Sequence, residues 1–108
     1  MSGEFAGTLK ERIRIERPVS LRTNGGLQQA GWEPVASCLA AIVAEGVGSE
    51  AEGQALSAMS RFRVTIRWRE GVSVGQRVIW GGRAMLVKQR IDDPTQRNRI
   101  LLRCEEMR

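Results

Sequence analysis

Arg61-Phe62-Arg63-Val64-Thr65-Ile66-Arg67-Trp68-Arg69 alternates without a break. Successive side chains of a strand point to opposite faces, so this stretch predicts a half-buried strand with Phe62, Val64, Ile66 and Trp68 in a core. The other face carries Arg61, Arg63, Arg67 and Arg69, with adjacent positions roughly 7 Å apart, twice the rise per residue. A row of guanidinium groups asks for an anionic partner, either nucleic acid or carboxylates on another protein. A plainer reading is a solvated face paired with acidic residues on the neighbouring strand.

Working outward, the same period recurs. Ile13 and Ile15 alternate with charge, predicting a first strand over about 12–17 that ends at Pro18. Residues 20–31 contain Asn24-Gly25-Gly26 and little that is apolar, which predicts a long loop or a loose hairpin tip. Residues 32–43 read as a second strand around Cys38-Leu39-Ala40-Ala41-Ile42. Residues 44–60 change character: Gly46, Gly48 and Gly53 argue for mobility, while Leu56 and Met59 suit a short helix over 50–60. After the arginine strand, Val78-Ile79-Trp80 and the run from Ala84 read as strands joined by Gly81-Gly82, for which a type I′ turn is expected. A polar turn at 92–98 precedes a closing strand over 99–105. The expected fold is mainly β: a small antiparallel β-barrel or sandwich of five or six strands, with at most one short helix and long flexible loops. The expected organisation is a single domain over residues 1–108, with a flexible N-terminus at 1–8 and long loops at 20–31 and 44–60.

The charge is unevenly placed. Lys+Arg number 17 against 12 Asp+Glu, a net +5. Residues 1–60 hold 5 basic and 7 acidic side chains, and residues 61–108 hold 12 and 5. Opposite poles suit head-to-tail contact between copies as well as attraction to nucleic acid. Lys10 and Lys88 are the only lysines. Arginine forms planar bidentate pairs with carboxylate or phosphate, so the bias favours interfaces.

The chemistry of catalysis is thin. With no histidine and no tyrosine, the commonest general base is missing. Cys38 and Cys104 lack the CxxC spacing of a zinc site and read as reduced, buried thiols. No GxxxxGK[ST] or GxGxxG element is present to cradle a nucleotide. Asp92-Asp93 before Pro94 reads as a turn held by an Asp side chain in preference to a cation site. Neither an enzyme nor a cofactor or metal is expected. No apolar run reaches the ~20 residues of a membrane helix, and residues 1–8 lack the pattern of a signal peptide, so a soluble protein made in a cytoplasm is expected.

The order of these motifs resembles the phage head–tail joining proteins, also called head-closure or stopper proteins, found in phages, prophages and gene transfer agents. Leu9-Lys10-Glu11-Arg12-Ile13-Arg14-Ile15 is similar to the family's opening strand. Trp32-Glu33-Pro34-Val35 resembles its entry to the second strand, and Cys38–Ile42 the strand that follows. Arg61–Arg69 matches the basic alternating strand, and Gln76–Arg83 the aromatic hairpin. Asp92–Arg99 fits the polar turn before the end. Gly48-Ser49-Glu50 only loosely echoes the family's Ser-Gly-x-Glu.

The resemblance implies a virion connector at the head–tail interface, assembled in the bacterial host cytoplasm. It would form a ring of six or twelve copies beneath a portal-proximal adaptor protein, dock a tail terminator or tail-tube protein, and let packaged DNA pass its channel, with no membrane involved. Candidate channel or docking loops carry Asn24, Gly25, Gly26, Gly46, Gly48, Glu50 and Glu52; the candidate interface is Arg61, Arg63, Arg67 and Arg69. The alternative is a small β-barrel binding nucleic acid without sequence preference. Phe62 and Trp68, assigned to the core, would then be unavailable to stack on bases.

Overall fold

The computed structural model describes residues 7–22, 25–26, 28–47 and 60–107. The strands are β1 (Glu11–Arg22), β2 (Gln28–Val47), β3 (Ser60–Arg67), β4 (Arg77–Trp80), β5 (Arg83–Asp92) and β6 (Arg99–Glu106). All neighbours are antiparallel, and the order β1-β2-β3-β6-β5-β4 closes back on β1. Of the two expected architectures the barrel is the one formed. Closure removes the sheet edges that a sandwich would have to cover.

The core is built from the inward half of each alternation. Ile13 and Ile15, Ala40, Val64 and Ile66, Val78, Met85 and Val87, and Ile100, Leu102 and Cys104 come from the six strands in turn. Phe62 joins them and stacks edge-on against Trp80, with centroids 5.9 Å apart. Each large aliphatic side chain so buried contributes roughly 1.5–3 kcal/mol.

Trp68 departs from the expected pattern. It is 48% exposed, whereas Phe62 is 7% exposed and Val64 and Ile66 are fully buried. The reason is that β3 ends at Arg67. The Trp68 amide still donates to the Asn98 carbonyl at 2.9 Å, but the chain then enters the turn at Glu70-Gly71, where Gly71 has φ 87°. Val72 supplies the next core side chain instead. Gln76, buried beneath this turn, donates to the Gly71 carbonyl at 2.7 Å and accepts from the Ser73 amide at 3.1 Å.

β1 does not stop at Pro18, which pairs with Trp32 while the strand runs on to Arg22. β4 pairs with β1 only from Arg14 to Glu16, so beyond that point β1 has β2 alone beside it. An edge of that kind tolerates a residue without an N–H. The expected loop over 20–31 is therefore mostly a two-stranded ribbon, with Gly25 and Gly26 in the turn at its tip. At the other hairpin Gly81 has φ 59° and Gly82 has no positive φ, which is the pattern of a type II′ turn and not the expected I′. The helix expected over 50–60 lies outside the described residues except for Ser60, which opens β3.

Candidate assembly surfaces

The arginine row stands on the outer face of β3, and its members meet different surroundings. Arg61 lies opposite Glu105 and pairs with it at 3.4 Å, both partly solvated. An ion pair of that kind contributes little to stability. Arg63 lies opposite Arg103, and among the described residues it forms no ion pair. Arg67 lies opposite Arg99 and is exposed. Arg69 is past the strand end, half-buried, with its guanidinium beside the Cys38 thiol. The row is thus outward-facing over Arg61–Arg67, and Arg69 belongs to the end of the barrel.

Around the row lie concavities set by the ladder's irregularities. Bulges place Glu45 and Lys88 out of register with their neighbours. With Arg61, Arg103 and Glu105 these line a shallow cavity of about 650 Å³. Gly46, in the first bulge, has φ 94°, a conformation that L side chains rarely adopt. Of the other candidate loop residues, Asn24, Gly48, Glu50 and Glu52 lie outside the described residues.

A third region was not legible as a site. At the root of the ribbon Glu16, 12% exposed, accepts from Arg77 at 2.7 Å and from Arg14 at 3.2 Å. Burial pushes the Glu16 carboxyl up, but these two guanidinium groups outweigh it and hold the pKa below the usual value. Arg77 also lies over the Trp32 ring, 4.3 Å from its centroid. The partners are 61 residues apart, and only barrel closure brings β4 beside β1.

The remaining candidates resolve simply. Asp93 accepts from the Thr95 amide at 2.8 Å and its hydroxyl at 2.7 Å, the side-chain-held turn expected at that position. These bonds lower the Asp93 pKa. Cys38 and Cys104 are free thiols, Cys104 buried and Cys38 half-buried. β3 lies between their strands, so they are not ladder neighbours. Among the described residues no cluster of His, Cys, Asp or Glu could hold a metal ion.

The described residues thus form a closed barrel with a row of arginines on the outer face of β3. The sequence model of the phage head completion protein family matches residues 6–107, and the chain belongs to that family. It is a structural protein of phage head particles. Solved structures share the fold, two of them as follows. Protein SF1141 from Shigella flexneri 2a is 23% identical, with a TM-score of 0.68 over 93% of this chain and 94% of that one. A chain in the virion of a native gene transfer agent particle is 15% identical, with a TM-score of 0.70 over 92% of this chain and 96% of that one. No curated protein matches the chain.

Proposed function

We propose that this protein is the connector that closes the DNA-filled head and docks the tail, assembling as a ring of copies between the portal-proximal adaptor and the tail terminator or tail tube. Family membership over residues 6–107 carries the reading. The outer surface supports it: Arg63 lacks an in-chain ion pair among the described residues, and Leu39 and Val43 are exposed on the strand beside it. Arginine and large apolar groups together are the composition of a protein interface. Arg61, Arg63, Arg67 and Arg69 serve as interface residues. Asn24, the ribbon tip at Gly25 and Gly26, and the segment carrying Gly46, Gly48, Glu50 and Glu52 serve as docking or channel elements.

Electron microscopy of particles made with and without this protein tests the reading. Heads that lose DNA or fail to join tails are expected in its absence. Complete, filled, tailed particles without it would overturn the proposal.

The exposure of Trp68 favours one second reading. An indole among arginines can contact nucleic acid. Such binding would be tight at low salt and fall steeply as salt rises. Weak duplex binding at physiological salt is expected from the connector.

A further inference from the structure

Val74 apart, the large hydrophobic side chains most exposed among the described residues are Leu39, Val43 and Trp68. Leu39 and Val43 alternate along β2 with the inward Ala40 and the partly buried Ile42. Val43 pairs with Arg63 and Ala41 with Thr65, so this apolar line runs beside the arginine row. Leu39 and Trp68 line one concavity of about 450 Å³ together with Arg67 and Arg69. Trp68 also lines a second, of about 480 Å³, with Pro94 and Arg97. Pro94 in turn borders a third, of about 520 Å³, which contains Val43 and Arg63. Shared residues make the three one groove across the outside of the barrel.

The groove favours a peptide over a nucleic acid. Val43, Ile91 and Leu101 line it beside the carboxylates of Asp92 and Asp93, and apolar side chains of this kind are covered by a peptide's side chains and not by a phosphate backbone. Those carboxylates are already engaged, Asp92 with Arg90 and Asp93 with its own turn. Arg63, which forms no ion pair among the described residues, remains for an incoming carboxylate.

We propose that this groove receives residues 48–59 of a second copy of this chain. That segment carries Glu50 and Glu52 and no lysine or arginine, with Leu56 and Met59 as apolar anchors and mostly small residues otherwise. Its chemistry complements a groove of arginine and apolar side chains. A chain cannot fill the Trp68 end of its own groove. The twelve residues between Val47 and Ser60 reach outward at most about 20 Å, whereas β3 carries Trp68 roughly 26 Å from Ser60. The contact is heterologous, one copy's segment in the next copy's groove, and such contacts propagate around a ring. The inference rests on the connector reading and names the two surfaces that join.

A synthetic peptide of residues 44–60, titrated into the dilute full-length chain, tests it. Nitrogen-15 NMR would follow the indole N–H of Trp68, assigned with Trp68→Phe. Saturable movement of the Trp68 signal is expected, with Trp32 and Trp80 unmoved. A peptide carrying Glu50→Lys and Glu52→Lys should bind roughly tenfold more weakly, about 1.4 kcal/mol. Four results would each overturn the proposal: no movement, movement insensitive to the reversed charges, equal peptide binding by a folded Trp68→Ala chain, or displacement of the peptide by duplex oligonucleotide. If the peptide fails while particles lacking the protein still lose DNA or tails, the connector reading stands and this contact does not.

Discussion

Arg63 stands directly opposite Arg103 across the β3–β6 ladder. Like charges at facing positions of an antiparallel pair repel. Arg103 is relieved in part by Glu45 at 3.9 Å. The barrel thus keeps a locally unfavourable pair on its outer face, where an outside carboxylate would relieve it. Arg63→Glu should therefore stabilise the isolated chain by about 0.2–1 kcal/mol, the scale of a cross-strand charge pair. The same change should block assembly of tailed particles. Thermal denaturation and a particle assembly assay check the two halves. A destabilised variant that assembles normally would contradict both.

The ends of the alternating stretch should respond differently to truncation. Phe62→Ala removes a buried ring packed on Trp80 and should cost about 3–5 kcal/mol. Trp68→Ala removes a half-exposed ring and should cost about 1 kcal/mol. Chemical denaturation of the two variants gives the comparison, and equal losses would place Trp68 in the core after all.

Glu16 gives a pH signature. Its folded pKa lies below the usual 4.5, so its contribution is present above that value and fades as the pH falls through the folded pKa. Glu16→Gln should destabilise the chain by about 1–2 kcal/mol near neutrality, on the scale of lost charge-assisted bonds, and by progressively less as the pH falls below 4.5. Stability curves of both proteins against pH provide the check. A constant difference across the acid range would remove Glu16 as the cause.

The two thiols should separate kinetically. Burial pushes Cys104 up to about 12. Burial also raises Cys38, against the pull of Arg69, but that thiol is only half-buried. A thiol reagent at mildly alkaline pH should modify Cys38 first and Cys104 only on unfolding. Mass spectrometry of peptides after timed labelling resolves the order; simultaneous labelling would show that the core opens readily.

Much of the barrel wall was legible because period-two alternation directly encodes which side of a strand is buried. Ile13 and Ile15, Phe62 to Ile66, and Ile100 to Cys104 follow it. The alternation misled at Trp68 because a pattern in the sequence can outlast the ladder that gives it meaning, and β3 ends one residue earlier. Pro18 misled in the opposite direction. A proline breaks a strand only where its N–H was needed, and no sequence signal shows that β1 has a single neighbour there. The Glu16–Arg77 pair was invisible for a related reason, since its partners become neighbours only when β4 pairs with β1 and closes the barrel. The groove beside Trp68 was hidden by the core assignment of that residue.

The ribbon formed by residues 17–22 and 28–33 has a mechanical consequence. It is a cantilever clamped at one end. The clamp is the β-bulge at Ile15/Glu16, where Arg77 grips Glu16 with one set of nitrogens and Trp32 with its flat face. A load applied at Gly25 and Gly26 travels down the ribbon and arrives first at Arg77, the opening residue of the short strand β4. Whatever touches the tip therefore pulls on the seam at which the barrel closes.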